Sequence, residues 1–269
     1  MSGPFNSTAV APPVRPLNVV VTGSTRGLGF AIAQWLVRHD ATVVVSGRRQ
    51  ENVDRAVALL LEAGPGRAIG IPCDVSMPDS IQHLLDSVTK ELGVVHAMVA
   101  NAGIATLQRF VDLPLSEWDE IMRVNARGVF LCGQIFARHM LDHGGGRIVN
   151  ISSQAGHQGQ ALVAHYCASK AAILGLTKAM ALELAPRVQV NAVCPGIVET
   201  DMIAADFRRQ SEILGLHTEE VARRTLARIP LGHFQSATSV AAAVAFLLSE
   251  AAADITGQAI HVNGGMTTC

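Results

Sequence analysis

Three side chains within one stretch of the sequence could perform acid–base chemistry on the same small molecule. Tyr166 is the chain's only tyrosine, Lys170 follows it by four positions, and Ser153 precedes it by thirteen. In a helix, side chains at i and i+4 project from one face, so a phenol and an ammonium at this spacing can act on one ligand. The ordinary alternative is an amphipathic pair whose lysine reaches into solvent. The serine and the glycine-rich loop described below favour catalysis.

These side chains need two neighbouring elements to hold them together. The apolar run at residues 147–151 predicts a strand that ends at the serine, and residues 161–185 predict a long helix that carries the tyrosine and the lysine. The intervening loop, residues 154–160, is unusually polar, as is His165 just after it. We expect this loop either to help select the substrate or to be simply exposed.

A second feature is a glycine-rich loop near the start of the chain. Residues 17–22 predict a short strand, and a helical pattern follows the glycines at once. Glycines in such a turn let a pyrophosphate reach the amides at the helix N-terminus, although glycine spacing alone can also mark a tight turn. The residues of this loop predicted to bind a dinucleotide are Gly23, Ser24, Thr25, Arg26, Gly27, Leu28 and Gly29.

The next predicted strand, residues 42–46, bears on the choice between NAD and NADP. An NAD site usually has an acid at the end of this strand, to bind the ribose 2′-hydroxyl. Here the strand is followed by Arg48 and Arg49. Arg48 and Arg26 could hold a 2′-phosphate by charge-assisted hydrogen bonds, whereas the bland alternative is a pair of solvated turn residues. We predict NADP(H) as the cofactor.

Two further strand ends offer candidate cofactor contacts. Strands predicted at residues 67–73 and 96–100 end in a short polar or glycine-containing turn. Ligands of parallel α/β sheets bind beyond the carboxyl ends of the strands. Asp74 could instead merely cap the following turn, and Gly103 could merely provide a positive φ. The cofactor-binding residues predicted at these two ends are Asp74, Val75, Asn101, Ala102 and Gly103.

The alternation of strands and helices predicts the fold class. Further strands are predicted at residues 188–193 and 259–262, and helices at residues 78–92 and 240–248. Strands separated by helices of this length form parallel sheets with helices on both faces. We therefore predict an α/β fold, a single-domain Rossmann-type doubly wound parallel sheet of about seven strands.

The domain organisation follows from length and local composition. The chain has 269 residues, enough for one large domain, which we place at residues 17–269. Residues 1–16 are rich in proline, serine and glycine and lack the features of a signal peptide, so we expect a disordered tail. The polar, helix-prone segment at residues 200–228 resembles an insertion that could cover the substrate.

Composition excludes several classes of function. Hydrophobic residues make up 49% and charged residues 16%, without a long uninterrupted apolar run, which predicts a soluble protein and no membrane span. A net charge of −1 argues against nucleic-acid binding. The five scattered cysteines favour a reducing compartment, so we expect a cytoplasmic protein.

The predicted helix at residues 115–141 contains one residue that such a helix disfavours. Asn125 competes with the helical backbone for hydrogen bonds, and a buried role at a kink would explain its presence. His139 and His143 lie four apart near the helix end, but no third ligand accompanies them, so we expect solvated side chains. The other histidines form no evident cluster, and no metal site is predicted.

Taken together, the motifs resemble those of the short-chain dehydrogenase/reductases over residues 17–265. The resemblance is carried by TGSTRGLG at residues 22–29, the CDV around Asp74, ANAG at residues 100–103, Asn125, Ser153, YCASK at residues 166–170 and PGIVET at residues 195–200. The GxxxGxG spacing and the short length are similar to the compact branch of the family. One departure is Ala100, where many relatives have a second asparagine.

The resemblance implies a role for each matching residue. Tyr166 would be the general acid/base, Ser153 would hydrogen-bond the substrate oxygen, and Lys170 would bind the nicotinamide ribose. Lys170 and an oxidised nicotinamide would also lower the pKa of Tyr166 from its usual value of about 10. Asn125 would connect the lysine through water to solvent. The nicotinamide carboxamide would be held by the last of the implied cofactor-binding residues, Pro195, Gly196, Ile197 and Thr200.

The resemblance also suggests substrates and assembly. The stretches NAVCPGIVETDM, RIPLGHF and ITGQAIHVNGGM are most similar to 3-oxoacyl-carrier-protein reductases. The alternative is a sugar-acid or polyol dehydrogenase of the gluconate 5-dehydrogenase kind, and a non-catalytic NADPH-binding regulator is a hypothesis of another class. Family members are commonly tetramers, so we expect a homo-oligomer, with residues 240–248 either at an interface or packed internally.

Overall fold

The sheet observed in the computed structural model has the predicted parallel topology. The structure describes residues 17–199 and 201–268. Its strands are β1 (Asn18–Val21), β2 (Thr42–Val45), β3 (Arg67–Gly70), β4 (Ala97–Ala100), β5 (Gly146–Ile151), β6 (Val188–Pro195) and β7 (Ala259–Val262). All pair in parallel in the order β3-β2-β1-β4-β5-β6-β7. From β1 the chain adds β2 and β3 on one side of the sheet and β4 to β7 on the other. The point between β1 and β4, where the strand order reverses, is where open α/β folds bind their ligands.

Helices cover both faces of this sheet. They are α1 (Gly27–Arg38), α2 (Gln50–Leu61), α3 (Pro78–Leu92), α4 (Leu115–Ile121), α5 (Gly128–Asp142), α6 (Ala164–Leu184), α7 (Asp201–Leu214), α8 (Thr218–Leu226) and α9 (Ala237–Leu248). Pro78 occupies the first turn of α3, where its missing N–H costs nothing. Within the described residues, no helix combines the length and apolar composition needed to span a bilayer.

Two hydrophobic cores lie on opposite faces of the sheet. On one face, alternate β1 residues pack with α1, α2 and α9, as Val19 does with Leu36 and Val244. On the other face, Val20 packs with side chains of α3, α5 and α6. Because successive strand residues point to opposite faces, a strand buried on both sides must be apolar throughout, which explains the run of valines in β1. The predicted Rossmann-type doubly wound fold is confirmed.

Several predicted element boundaries differ from the structure. The third strand ends at Gly70 and not at residue 73, and β6 continues two residues beyond the predicted end, to Pro195. Helix α6 begins at Ala164, three residues later than predicted. The predicted helix at residues 115–141 is interrupted by a π-helical segment, Met122–Arg127, between α4 and α5.

Three further segments were predicted: an N-terminal tail, an insertion and a helix near the C-terminus. Residues 1–16, predicted to be a disordered tail, lie outside the described residues, as do Thr200 and Cys269. The helix-prone segment at residues 200–228 contains α7 and α8. Helix α9 packs chiefly inside the molecule, because Val240 and Leu248 belong to the core shared with α1.

Candidate active site

The glycine loop between β1 and α1 has the backbone that dinucleotide binding requires. Gly23 and Gly27 have φ angles of 63° and 56°, a region that side chains disfavour. A Cβ on Gly29 would lie 2.3 Å from the carbonyl oxygen of Gly23, so only glycine allows α1 to pack this closely on the loop. A Cβ on Gly27 would meet no atom within 4 Å, which leaves open space in front of the first helical turn. A phosphate bound at the N-terminus of α1 would occupy this space.

Hydrogen bonds between strand ends brace this loop. The Ser24 hydroxyl donates to the carbonyl of Val21 (2.6 Å) and accepts from the amide of Ser46 (2.9 Å), which ties the loop to the end of β2. The Asn101 side-chain amide donates to the carbonyls of Thr22 (2.9 Å) and Gly23 (3.1 Å). The side chains of Ser24 and Asn101 thus hold the loop in shape, and the predicted contact of both residues with the cofactor stays a prediction.

The other predicted residues of the loop and of the β4 end surround this brace. The methyl group of Thr25 lies close to Gly47, since a Cβ on Gly47 would be 2.7 Å from that methyl carbon. Leu28 is half-buried against the core, and Ala102 backs Gly23, with its Cα 2.8 Å from where a Cβ would be. Gly103 does not have a positive φ, so that explanation for its glycine is wrong.

Positive charge follows β1 and β2, and a carboxylate follows β3. Arg26 and Arg48 are exposed, and no acid follows β2. The carboxylate of Asp74 accepts hydrogen bonds from the Ser76 amide (2.9 Å) and hydroxyl (2.7 Å), so it caps the following turn. Burial opposes its charge, but these hydrogen bonds and the charges of Arg123 and Arg48 outweigh burial and hold the pKa of Asp74 below its usual value. Arg48 therefore lies close enough to act on this end of the sheet.

Val75, the remaining cofactor-binding residue predicted at the end of β3, has its side chain packed inside the protein. Its side chain is buried against α5, where a Cβ on Gly128 would lie 3.0 Å from it. A contact with a cofactor could therefore come only from its backbone.

The three candidate catalytic residues converge at the carboxyl end of β5. Ser153 follows the strand and is buried, and its hydroxyl oxygen accepts the amide of Ala155 (3.1 Å). The buried Lys170 ammonium donates to the carbonyl of Ile151 (2.8 Å) and lies 5.5 Å from the centroid of the Tyr166 ring. The serine, the tyrosine and the lysine thus lie close together, as the sequence predicted.

Two further serines, which the sequence did not single out, fix α6 against β5 and the π-helical segment. The Ser152 hydroxyl donates to the carbonyl of Lys170 (2.9 Å). The Ser169 hydroxyl donates to the carbonyl of Tyr166 (2.8 Å) and accepts from the Asn125 side chain (3.2 Å). Their position beside residues of the candidate triad was the only available signal, because serine is common at strand ends and on helices.

Burial sets the protonation states of the tyrosine and the lysine. It raises the pKa of Tyr166 to about 12, with the charge of Asp206 adding to the rise and a hydrogen bond from Ser153 opposing it. It lowers the pKa of Lys170 to about 8, against the charge of Cys194. The expected lowering of the tyrosine pKa by the lysine is therefore absent in the cofactor-free chain, where the phenol stays protonated at neutral pH.

Asn125 occupies the π-helical segment and is completely buried. Its side-chain oxygen accepts the amide of Ile104 (2.8 Å), and its nitrogen donates to the carbonyl of the same residue (2.9 Å). A Cβ on Gly103 would lie 3.3 Å from the Asn125 oxygen and 3.7 Å from the Lys170 nitrogen. The widened turn thus anchors the segment after β4 beside the lysine, as expected for a π-bulge at a functional site.

The end of β6 presents the next predicted cofactor contacts. Pro195 is the last strand residue, and Gly196 follows where a Cβ would lie 2.3 Å from the Gln235 side-chain oxygen. The half-buried Ile197 accepts the amide of Gln235 (2.9 Å) through its carbonyl. Thr200 was also predicted here and lies outside the described residues.

Exposure is mixed along the polar stretch before Tyr166, where Gln154 is buried and His157 is exposed. His165 is fully buried, and its Nε2 lies 2.7 Å from the Thr106 hydroxyl, which donates to Glu117 (2.7 Å). His139 is also buried, and its Nε2 accepts the amide of Val95 (3.1 Å). The prediction of a solvated helix end is thus wrong for His139, because its ring accepts from the loop just before β4, whereas His143 is exposed.

Two of the remaining histidines do form a cluster, contrary to the sequence-based expectation. His157, Cys194 and His261 place their side-chain nitrogen and sulfur atoms within 4.8 Å of one another. Burial lowers the pKa of both histidines. The three residues are far apart in sequence, and only the parallel pairing of β6 with β7 and the fold of the loop after β5 bring them together.

Comparison with known proteins identifies the family. A family model described as enoyl-(acyl carrier protein) reductase matches residues 23–267. The 3-oxoacyl-[acyl-carrier-protein] reductase of Aquifex aeolicus is 39% identical over 92% of this chain and 96% of its own length. The 2-(S)-hydroxypropyl-CoM dehydrogenase 3 of Xanthobacter autotrophicus is 39% identical over 93% of this chain and 96% of its own.

A solved structure gives the same result. A variant of actinorhodin polyketide ketoreductase, crystallised with NADPH, superimposes with a TM-score of 0.89 at 39% identity, covering 93% of this chain and 97% of that one. The doubly wound sheet, the glycine loop and the grouping of serine, tyrosine and lysine define an oxidoreductase of the dinucleotide-binding class. The chain belongs to the short-chain dehydrogenase/reductase family.

Proposed function

We propose that this protein uses NADPH to reduce the ketone of a 3-oxoacyl thioester to a secondary alcohol. The observation that carries the proposal is the convergence of Ser153, Tyr166 and Lys170 at the end of β5, on the same edge of the sheet as the glycine loop. NADPH use agrees with the relatives, of which the actinorhodin ketoreductase variant was crystallised with that cofactor.

The protonation state of Tyr166 favours the reductive direction. With its pKa raised to about 12 by burial, the phenol is protonated at neutral pH and can donate a proton to the substrate oxygen as the ketone becomes an alcohol. The Ser153 hydroxyl, whose oxygen accepts the Ala155 amide, can turn its O–H from Tyr166 to the same substrate oxygen. Both hydroxyls thus stabilise the negative charge that develops there.

The residues present fit NADPH. The open space at Gly27 would take the pyrophosphate, and Arg48 with Arg26 would hold the 2′-phosphate. Lys170 would bind the nicotinamide ribose, and Asn125 would link it to a water path that returns a proton to Tyr166. When bound, NADPH supplies the hydride that the ketone carbon accepts.

The assignment of NADPH is tested by initial rates with each nicotinamide. We expect kcat/KM for NADPH to exceed that for NADH by at least about tenfold, and Arg48→Ser to lose most of that preference because one charge-assisted contact is removed. Arg67→Ser, which removes an exposed arginine at the start of β3, is the matched control. Faster turnover with NADH in the unaltered protein would reject the role given to Arg48 and Arg26.

The substrate class is supported by the 3-oxoacyl-[acyl-carrier-protein] reductase among the relatives. A sugar-acid dehydrogenase of the gluconate 5-dehydrogenase kind is the competing enzyme, and a non-catalytic NADPH-binding regulator is the alternative of another class. We expect NADPH oxidation with an acetoacetyl thioester and none with 5-ketogluconate. The reverse result would replace the first substrate class by the second, and NADPH binding without turnover of any ketone would indicate the regulator.

The acid/base role is tested by Tyr166→Phe. The variant should lose about 10²- to 10⁴-fold in kcat because the proton donor is removed, while its affinity for NADPH is retained. Activity within about tenfold of the unaltered enzyme would show that Tyr166 is not the proton donor.

The proposal extends to the location, the oligomeric state and the domain organisation of the protein. The protein would be a cytoplasmic homotetramer made of one oxidoreductase domain, residues 17–269, behind a short N-terminal tail. Cys73, Cys132 and Cys167 form no disulfide with any described residue, in agreement with a reducing compartment. Residues 200–228 would cover the substrate, and the charge of Asp206 in α7, which acts on Tyr166, agrees with that placement.

A further inference from the structure

We propose that His157, Cys194 and His261, here called the His–Cys–His cluster, bind a zinc ion. Two imidazole nitrogens and a sulfur form a set of ligands that is typical of zinc and of related transition metals of borderline softness. The cluster uses none of the residues assigned to catalysis, but the charge of Cys194 acts on Lys170, so the cluster lies next to the active site.

The sheet itself brings two of the ligands together. Cys194 in β6 is the register partner of His261 in β7, so their side chains leave neighbouring strands side by side. His157 is the residue that follows the short 3₁₀ turn after Ser153, and its ring contacts that of His261 with a centroid separation of 4.3 Å. The cluster therefore joins the loop after β5 to the last two strands.

The separations suit a tetrahedral ion. Zinc binds sulfur at about 2.3 Å and nitrogen at about 2.0–2.1 Å, which places sulfur and nitrogen about 3.6 Å apart at a tetrahedral angle. The Cys194 sulfur lies 3.6 Å from Nε2 of His157. All three ligand atoms lie within 4.8 Å of one another, so a small rotation of the rings would complete the geometry. His157 is exposed, so an ion can reach the cluster from solvent.

One hydrogen bond opposes binding and gives a specific test. Nδ1 of His261 lies 3.1 Å from the Asn263 side-chain nitrogen, while the oxygen of that amide accepts the Gly265 amide (3.0 Å). Zinc on Nε2 of His261 would move the proton to Nδ1, where it would face another donor. A carboxylate at position 263 would accept that proton, as carboxylates commonly do behind zinc-bound histidines.

The first experiment uses cobalt(II) as a spectroscopic probe in the full-length protein. We expect a thiolate-to-cobalt charge-transfer band in the unaltered protein and its loss in Cys194→Ser. Two variants outside the cluster, Cys167→Ser and His233→Gln, should keep the band. Absence of the band from the unaltered protein, or its persistence in Cys194→Ser, would refute the site and leave an ordinary thiol–imidazole hydrogen bond.

The second experiment measures zinc affinity and thermal stability after removal of metal by a chelator. Zinc at about a hundred times its Kd should raise Tm by about 5–10 °C, because the ion binds only the folded chain. His261→Gln should abolish this rise, and Asn263→Asp should tighten zinc binding by about tenfold or more. An equal rise in His261→Gln, or no rise in the unaltered protein, would overturn the proposal even if ketone reduction is confirmed.

Discussion

Tyr166 combines two properties that make its chemistry directly observable. It is the only tyrosine of the chain, so every tyrosinate signal of the protein comes from the candidate catalytic residue. Its pKa is raised to about 12, first by burial and then by the negative charge of Asp206. A single chromophore therefore reports the electrostatics of the site.

We expect ultraviolet titration of the cofactor-free protein to show little tyrosinate at pH 10, where an ordinary tyrosine is about half ionised. Asp206→Asn removes a negative charge and should move the titration to lower pH, whereas Asp54→Asn on α2 should not. Oxidised NADP, which brings a positive nicotinamide, should also lower the apparent pKa. Half-ionisation near pH 10 in the native protein, with circular dichroism unchanged, would contradict the raised pKa.

Lys170 sets a second limit on pH. Burial lowers its pKa to about 8 in the cofactor-free chain, so the ammonium is charged below that pH and loses its charge above it. Because the ammonium would bind the cofactor, kcat/KM for NADPH should fall about tenfold per pH unit above about 8. Lys170→Arg keeps its charge and should show no such fall, although its rate will be lower at every pH. A flat profile in the unaltered enzyme would contradict this assignment.

The residue types and spacings predicted the site better than its internal bonding. Tyr166 and Lys170 were found from their four-residue spacing, because side chains four residues apart project from the same face of any helix. The sequence could not show that Asn101 and Ser24 brace the glycine loop, because their partners are backbone atoms of other strand ends. Asp206 was missed for the same reason, since only the fold brings its charge near enough to act on the tyrosine.

At the scale of elements, the close contact between the glycine loop and α1 is possible because Gly29 has no side chain. Gly29→Ala would place a Cβ 2.3 Å from the Gly23 carbonyl oxygen and 2.4 Å from the Asn101 amide nitrogen. Overpacking at such a site costs about 1–3 kcal/mol. We expect the variant to unfold at lower urea concentration and to bind NADPH at least about tenfold more weakly, because the loop must move.

Gly175 in α6 provides the matched control. It is exposed, and a Cβ there would meet no atom within 4 Å, so alanine adds helix propensity without a clash. Gly175→Ala should raise the free energy of unfolding by about 0.5–1 kcal/mol and leave NADPH affinity unchanged. A similar stability for both alanine variants would show that the loop tolerates a side chain at position 29.

The periodicity of the sequence predicted all seven strands but not every helix boundary. Short valine-rich runs such as β1, followed by glycines, favour a strand buried on both faces, so their assignment needed no tertiary information. The helix containing Asn125 was harder, because its π-helical turn arises from hydrogen bonds to Ile104, which lies outside the helix. A local pattern could mark the asparagine as unusual but could not show its partner.

At the scale of the whole molecule, the surface carries an apolar patch that a monomer would leave in water. Phe110, Val111 and Leu115 lie within six residues of one another, before and at the start of α4, and are 76%, 87% and 74% exposed. Clustered exposed apolar side chains of this size commonly mark protein interfaces. The patch therefore supports the proposed homo-oligomer from a direction independent of the family resemblance.

We expect light scattering after size-exclusion chromatography to give the mass of a tetramer. Val111→Glu combined with Leu115→Glu should produce a smaller species, because burying two carboxylates in an apolar interface costs more than the contact stabilises. Leu61→Glu, on the exposed face of α2, is the matched control and should remain tetrameric. A monomer for the unaltered protein would reject the assembly. A tetramer for the double variant would instead place the interface on another face, because the two charges would then remain in solvent.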